Sequence, residues 1–303
     1  DAEAAATVAR ELIASETLAG VIGPMCTTGA QAANRLYAAA GVVHIAPTVT
    51  RAELADLGDG FFFRIAWRED AQSWVQAQFA RQTLGASTAT VIDDGQPYGL
   101  ALASGFAQEV AAKGGEVISR DRVAPGTTDF AGLVRQIKSA NPGIVVYQGF
   151  NPEGALLLKA LRADGYTGNF IGPDGLFNTG DFIIPTGSAA EGATITAGVM
   201  PDAAFSERYR AAFNHAPGTP FVLQSYDATT LLLGAIEEVA EINGNGDVVI
   251  DRAALAEAMR RREAIALTGD VKFDGRGERS GNTPRALGLA VYRVAFGVFT
   301  RVD

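Results

Sequence analysis

VIGPMCTTGAQAANRLYAAAGVVHIAPTVTRAEL, residues 21–54, contains an apolar run, a polar loop and a helical pattern, and then repeats that order once. Each loop carries hydroxyl side chains directly after its apolar run. Short apolar runs that alternate with helical patterns are typical of βαβ units, in which the strands pair in parallel. Open α/β sheets bind ligands at the loops that follow the carboxyl ends of such strands. The stretch therefore predicts an α/β fold with a ligand site at its strand ends.

The same layout occurs three more times, in TATVIDDGQPYG (88–99), GIVVYQGFNPEG (143–154) and NFIGPDGLF (169–177). These segments lie in a second, separate stretch of the chain, which predicts two mostly parallel sheets flanked by helices. Their loops offer hydroxyls, aromatic rings and carboxylates. Such groups suit the binding of a small polar molecule better than its cleavage.

Length and composition exclude several classes of function. The chain has 303 residues, enough for two domains, and its 48% hydrophobic and 19% charged content is that of a globular protein. A net charge of −9 argues against nucleic acid and anionic membrane surfaces as partners. With two histidines and one cysteine, the sequence leaves little room for a zinc site or a histidine-based nucleophile.

Nucleotide and membrane signals are also missing from the sequence. No glycine-rich dinucleotide fingerprint follows a strand, and no phosphate-binding P-loop motif occurs. No apolar run approaches the roughly 20 residues that span a bilayer. We therefore expect no catalytic residues, no bound metal and no cofactor.

Two threonine-containing loops are the first candidates for ligand contacts. Residues 28–31 and 50–53 each match the capping box, in which Ser or Thr precedes Gln or Glu by three positions. Two helix N-termini at one sheet edge would suit a ligand carboxylate. Ordinary helix capping without a ligand is the alternative for each box alone, and the pair favours binding. The hydroxyls in question belong to Thr27, Thr28, Thr48 and Thr50.

The second group of candidates is acidic and aromatic. Asp174, in the segment GPDG (172–175), could pair with a ligand ammonium group, or it could simply belong to a proline-containing turn. Phe150 and Tyr98 each follow a predicted strand and could form an aromatic wall, although core packing is the commoner fate of such rings. The pair Asp93 and Asp94 is more consistent with solvated loop charges than with a metal or acid–base pair, because no third ligand is evident.

Several blocks of the chain together resemble a known family. They are residues 21–54, DDGQPYGLALASGFAQEVAAKGGEV (93–117), GTTDFAGLVRQIKSANPGIVVYQGFNPEGALLLKALRADG (126–165), NFIGPDGL (169–176) and SYDATTLLLGAIEE (225–238). In content and order they resemble the ABC-transporter solute-binding proteins of the leucine/isoleucine/valine-binding type. This resemblance implies the type I periplasmic binding protein fold: two α/β lobes, three hinge crossings, a closing antiparallel ribbon and a ligand clamped between the lobes.

The resemblance also implies a function. We expect a periplasmic or extracytoplasmic receptor that captures a branched-chain or other apolar α-amino acid and delivers it to an ABC permease without chemistry. Its expected partners are the amino acid and the permease subunits. The protein would be a monomer that reaches the membrane only through permease docking. The alternatives are an aromatic or aliphatic carboxylate, an amide or urea as ligand, a sensory or regulatory ligand domain, and an enzyme on a Rossmann-like fold.

The family's site maps onto matching positions of this chain. Thr27 would meet the ligand carboxylate, while Thr48 and Thr50 would hold the carboxylate and the ammonium group. Asp174 would be the acidic partner of the ammonium group. The aromatic positions are Tyr98, which matches a site tyrosine, and Phe150, which replaces a usual tyrosine and so keeps the ring without the hydroxyl.

The resemblance further predicts boundaries. Lobe 1 would contain residues 1–66 and 200–266, and lobe 2 would contain residues 67–199 and 270–303, with crossings near residues 65–67, 197–201 and 268–271. The glycine- and proline-rich residues 175–192 would form a long surface loop. The family's opening strand–helix–strand, on the order of 30 residues, would be missing. In relatives, a cysteine at the position of Cys26 can pair with one upstream, and a plain buried thiol is the alternative.

Overall fold

The computed structural model describes residues 1–217, 221–281 and 283–303, in which α-helices alternate with β-strands over most of the chain. The helices are α1 (Ala2–Ile13), α2 (Thr27–Ala39), α3 (Glu69–Gln78), α4 (Pro97–Ala112), α5 (Ala131–Ala140), α6 (Glu153–Ala163), α7 (Ile184–Thr186), α8 (Ala203–Phe213), α9 (Val222–Val239) and α10 (Arg252–Arg261). The strands are β1 (Gly20–Ile22), β2 (Val43–Ala46), β3 (Phe62–Arg64), β4 (Thr88–Asp93), β5 (Glu116–Arg122), β6 (Ile144–Gln148), β7 (Asn169–Gly172), β8 (Thr194–Gly198), β9 (Glu241–Ile242), β10 (Val248–Val249), β11 (Glu263–Ala266), β12 (Gly269–Lys272), β13 (Leu289–Ala295) and β14 (Val298–Arg301).

The chain divides into two units, each built from two separate segments. Unit 1 contains residues 1–68 and 198–288, and unit 2 contains residues 69–197 and 289–303. The chain therefore passes from one unit to the other at three points. The helices and sheets of each unit form around its own core.

Unit 1 is built on a parallel sheet with the order β1–β2–β3. Its strands are short apolar runs, and β2 is buried along its whole length. Residues of β2 and β3, such as Val43 and Phe63, pack against the buried faces of α9 and α10, which contribute Leu231 and Met259. Because α2 returns the chain from β1 to β2 in parallel, the loops after both strands lie at the same edge of the sheet.

Unit 2 contains a seven-stranded sheet with the order β14–β13–β8–β7–β6–β4–β5. The neighbouring pairs from β5 to β8 are parallel, and β13 and β14 form an antiparallel hairpin. The central strand β6 is buried at every position, as expected for a parallel strand covered on both faces. The predicted α/β fold with a closing antiparallel ribbon is thus confirmed.

The predicted boundary near residue 270 differs from the division of the structure. Residues 270–288 lie in unit 1, and only residues 289–303 join unit 2, whereas the sequence placed all of 270–303 in lobe 2. The reason is local pairing, since β12 is antiparallel to β11. In addition, Val271 and Phe273 belong to the core of unit 1, where the rings of Phe273 and Phe63 are 5.1 Å apart.

The prediction of a long surface loop over residues 175–192 was wrong. This segment forms short helical turns, including a π-helical turn over Thr179–Ile183 that leads into α7. Phe182 and Ile183 are buried in the core of unit 2. The glycines, serine and proline of the segment predicted a loop. Burial of Phe182 and Ile183 instead packs the segment against the core.

Within the described residues, no helix is both long enough and apolar enough to cross a membrane.

His44 is the one histidine buried in the described part of unit 1. It lies on β2 with no exposed surface, and its Nδ1 is 3.2 Å from Oδ1 of Asn34. The amide nitrogen of Asn34 donates to the carbonyl oxygen of Leu54 at 2.7 Å, so Oδ1 faces the imidazole as an acceptor. Burial, and to a smaller extent the charge of Arg64, lowers the pKa of His44 to about 4. His44 is therefore neutral in the folded protein at neutral pH.

This burial makes the stability of the protein depend on pH. The unfolded chain protonates His44 near its ordinary pKa of 6.5, whereas the folded protein resists protonation until about pH 4. Stability should therefore fall by about 3 kcal/mol as the pH decreases from 7 to 4. Urea denaturation of the wild type and of the His44→Gln variant at several pH values measures this contribution. An identical pH dependence in both proteins would contradict it.

Candidate functional site

The threonines of unit 1 follow two neighbouring parallel strands. Thr27 is half-buried at the first position of α2, and Thr28 is exposed at the second. Thr48 follows β2, and its hydroxyl donates to the carbonyl oxygen of Met25 at 2.8 Å. This bond joins the loop after β2 to the loop that enters α2. The structure thus brings the two threonine-containing loops together, as the parallel topology predicts.

Neither predicted capping box lies at the N-cap of its helix. The N-cap residue of α2 is Cys26, whose backbone is extended, so the helix begins two residues earlier than the Thr28 box requires. After β2, a short 3₁₀ helix over Ala52–Leu57 begins beyond Arg51, and no side chain caps it. The carboxylate of Glu53 accepts a hydrogen bond of 3.0 Å from Nε of Arg51. Thr50 is nevertheless buried, with 8% of its surface exposed.

Cys26 has an exposed, unpaired thiol. The predicted alternative of a buried thiol is therefore wrong. Its position at the N-cap places it in the loop that precedes the threonines of α2.

The candidate acid of unit 2 is held by two different helices. Asp174 begins a short 3₁₀ turn directly after β7 and Pro173. Its Oδ1 accepts a hydrogen bond of 2.5 Å from the hydroxyl of Tyr98, in the first turn of α4, and one of 3.0 Å from Nε2 of Gln72, on α3. The structure thus joins Asp174 and Tyr98, which the sequence identified separately. Two donors on one oxygen fix the orientation of the carboxylate.

Burial and hydrogen bonding have opposite effects on the pKa of Asp174. Burial raises the pKa of Asp174 above its ordinary value, and the hydrogen bonds from Tyr98 and Gln72 offset only part of that rise. Burial, together with the charge of Asp174, raises the pKa of Tyr98 well above its ordinary value. Tyr98 therefore remains a protonated donor, and its bond favours the charged form of Asp174.

An aromatic surface adjoins the acid. The rings of Tyr98 and Phe150 stack with centroids 4.8 Å apart, and Phe150 remains 48% exposed. A Cβ atom at Gly175 would lie 2.6 Å from the carbonyl oxygen of Gly149 and 2.9 Å from the ring of Phe150. Glycine at position 175 thus permits the turn that carries Asp174 to approach the aromatic pair. A carboxylate beside stacked rings is suited to a cationic ligand group.

A buried polar network supports Asp174 from behind, and sequence reasoning missed it. Gln72 also bonds the carbonyl oxygen and the hydroxyl of Thr196, to which Gln76 donates at 2.9 Å. Gln148 donates in turn to Oε1 of Gln76 at 2.6 Å. All four side chains are fully buried. Two signals were available in the sequence. Gln72 and Gln76 are one helical turn apart on α3, and the polar residues Gln148 and Thr196 occur in mostly apolar strands.

The acidic pair at the end of β4 has a structural role. Asp93 accepts from the backbone of Gly95 and pairs with Arg122 at 2.8 Å. Asp94 is buried, rather than solvated as predicted, and accepts from the backbone of Gln96. Over the described residues, no cluster of histidine, cysteine and acidic side chains could hold a metal ion.

Removal of the tyrosine hydroxyl should change the ionisation of Asp174. In a Tyr98→Phe variant, the loss of a hydrogen bond to the charged carboxylate should raise the pKa of Asp174 further. Titration of the Asp174 carboxyl carbon by NMR measures this change. A Tyr166→Phe variant, which loses a bond to the carbonyl oxygen of Asn169 instead, serves as the control. A pKa of Asp174 that stays the same or falls would contradict the role given to Tyr98.

Most of the chain is similar to one family of known proteins. A protein family described as "Periplasmic binding protein" matches residues 1–294. The leucine-, isoleucine-, valine-, threonine- and alanine-binding protein of Pseudomonas aeruginosa is 29% identical over 283 residues, which cover 92% of this chain and 73% of the relative. The Leu/Ile/Val-binding protein BraC3 of Rhizobium johnstonii is 30% identical over 263 residues, or 85% of this chain and 69% of that protein.

A solved structure shows the same architecture. The crystal structure of the leucine-binding protein LivK of Thermotoga maritima aligns with all of this chain and 84% of its own, with a TM-score of 0.80 and 26% sequence identity.

Proposed function

Since the chain belongs to the periplasmic binding protein family, we propose that it binds a branched-chain or other apolar α-amino acid and delivers it to an ABC permease. The observation that carries this proposal is the carboxylate of Asp174, which two hydrogen bonds orient beside an aromatic pair. An ammonium group is the ligand feature that such an arrangement recognises. The names of the relatives, which include leucine-, isoleucine- and valine-binding proteins, support the same class of ligand.

The threonine loops of unit 1 supply recognition of the ligand carboxylate. The first turn of α2 presents backbone N–H groups that have no partner within the helix, together with the positive end of the helix dipole. Thr27 lies in that turn, and Thr48 is tied to the preceding loop through Met25. Thr50 contributes from the second loop. Hydroxyl and backbone donors of this kind bind a carboxylate without adding positive charge.

An apolar side chain on the ligand agrees with the exposed aromatic surface. Almost half of Phe150 is accessible, and this residue has no hydroxyl that would require a polar partner. Burial of an aliphatic chain against this ring contributes binding free energy in proportion to the apolar area covered. In this proposal the protein performs no chemistry, acts as a monomer outside the cytoplasm and meets the membrane only at the permease.

Asp174→Asn should separate recognition of the ammonium group from the rest of the site. Truncation of a buried charge pair costs about 2 kcal/mol or more, so leucine affinity should fall by about 30-fold or more. The same loss is expected for leucinamide, which keeps the ammonium group. Binding of 4-methylpentanoate, which lacks it, should change little. Isothermal titration calorimetry on the wild type and the variant measures all three ligands.

Asp181→Asn, which neutralises an exposed acid of the same unit, provides the matched control and should leave all three affinities unchanged. Equal affinities of the wild type and Asp174→Asn for every amino acid bound would remove the ammonium role. Tight binding of 4-methylpentanoate or benzoate, with no binding of amino acids, would favour a carboxylate receptor instead.

A further inference from the structure

Arg64 is a buried arginine that neither the composition nor the motifs single out. It ends β3 and has no exposed surface. Its Nε and Nη2 donate to the two carboxylate oxygens of Glu278 at 2.8 and 2.9 Å, so the pair is bidentate. Glu278 is almost as deeply buried, with 1% of its surface exposed. The charge of Arg64 is thus neutralised within unit 1.

The other bonds of the guanidinium reach the second threonine loop. Nη1 donates to the carbonyl oxygen of Val49 at 2.6 Å, and Nη2 donates to that of Arg51 at 2.7 Å. These two carbonyl groups lie on either side of Thr50. One rigid guanidinium therefore holds the backbone before and after this threonine.

These bonds determine where the donors of the loop point. In a trans peptide, the N–H group points away from the carbonyl oxygen of the same planar unit. Because the carbonyl of Val49 points toward Arg64, the N–H of Thr50 points away from it. The same holds for the N–H of Ala52, which shares its peptide unit with the carbonyl of Arg51. Arg64 thus orients two backbone donors of the loop away from the buried ion pair.

A tight turn positions Glu278, the other member of the ion pair. Asp274 accepts hydrogen bonds from the backbone of Arg276 and Glu278 and so closes a turn. Within this turn Gly277 has a φ of +75°, and a Cβ atom there would lie 1.9 Å from the carbonyl oxygen of Phe62. Only glycine fits at this position. The turn brings Glu278 to Arg64 from 214 residues away in sequence.

Stability alone is a weak reason for such an ion pair. The loss of hydration of two buried charges offsets much of their attraction, and apolar residues of similar volume often replace such pairs without loss of stability. A planar donor that binds a carboxylate and two backbone carbonyls at once has a geometric effect that apolar residues lack.

We infer that Arg64, neutralised by Glu278, is a positioning residue that fixes the loop around Thr50 for recognition of the ligand carboxylate. This inference rests on the proposed function. It assigns to Arg64 no contact with the ligand. Its effect should therefore appear on the carboxylate end of the ligand and not on the ammonium end.

Arg64→Lys provides the first test, because lysine keeps the charge opposite Glu278 but cannot hold both carbonyls with a planar fork. Leucine should bind about tenfold more weakly or worse. Leucinamide, which lacks the carboxylate, should bind within twofold of its wild-type affinity. Calorimetry measures both ligands, and thermal denaturation checks that each variant is folded at the temperature of the titration.

Arg252→Lys is the matched control. In the same unit, Arg252 donates to the backbone carbonyls of Ala40 and Leu18 at 3.1 and 3.3 Å, away from the threonine loops. Its replacement should leave the affinities for both ligands within twofold of the wild type. A tenfold loss of leucine affinity in this control would overturn the inference. It would show that the loss of any bridging guanidinium in unit 1 weakens leucine binding, wherever that guanidinium lies.

A double variant keeps the test valid if Arg64→Lys fails to fold. Arg64→Met combined with Glu278→Met removes both charges and leaves none unpaired. The inference requires that this protein, like Arg64→Lys, lose at least about tenfold in leucine affinity while leucinamide binding stays within twofold.

The two levels of the proposal fail in different ways. If Thr50→Val weakens leucine binding but both Arg64 variants bind leucine as the wild type does, the positioning role is overturned and the proposed function stands. If the wild type binds neither leucine nor any other amino acid, the proposed function fails, and the inference fails with it.

Discussion

Parallel pairing of neighbouring strands determines where the polar groups of this protein lie. In unit 1, β1 and β2 run in the same direction, so the loops that carry Thr27 and Thr48 emerge at one edge and bond to each other through Met25. In unit 2, β4, β6 and β7 do the same for the loops of Tyr98, Phe150 and Asp174. Residues far apart in the chain meet because every strand of such a sheet ends on the same side. The candidate ligand contacts are thus a consequence of topology.

Topology brings these groups together, and buried hydrogen bonds orient them. Gln72 holds Asp174 and is itself held by Thr196, so the acid rests on a polar network inside an apolar core. Arg64 likewise holds the loop around Thr50 through hydrogen bonds to two of its carbonyl oxygens. Buried polar groups are costly when unpaired, so each network is constrained to a small number of arrangements. In the proposed function, rigid support of this kind would hold Asp174 and the Thr50 loop in the orientation that the ligand requires before it binds.

The sequence was most informative where a signal is local. The strand–loop–helix order predicted the fold class and placed Asp174, Tyr98 and the threonine loops after strands, and the resemblance to leucine/isoleucine/valine-binding proteins is confirmed by the family match. The contacts assigned to individual site residues remain predictions. The capping boxes were wrong because a match of residue types does not fix the residue at which a helix begins.

Contacts between residues far apart in the chain could not be predicted from the sequence. Gln72 meets Thr196 across 124 residues and Arg64 meets Glu278 across 214, and neither pair forms a sequence motif. The assignment of residues 270–288 failed for the same reason, since the packing of Phe273 against Phe63 is invisible in a linear pattern. In residues 175–192, buried apolar side chains such as Phe182 and Ile183 outweighed the composition of the whole segment.

The interleaving of the two units has a consequence for synthesis on the ribosome. Unit 1 consists of residues 1–68 and 198–288, so its first segment emerges long before α9, α10 and Glu278 are translated. Until then, the apolar faces of β2 and β3 lack the helices that cover them, and the charge of Arg64 lacks its carboxylate. Unit 2 likewise lacks β13 and β14 until residues 289–301 have been translated. Neither unit can reach its final packing before its second segment has been translated, so apolar surface stays exposed on the nascent chain until then.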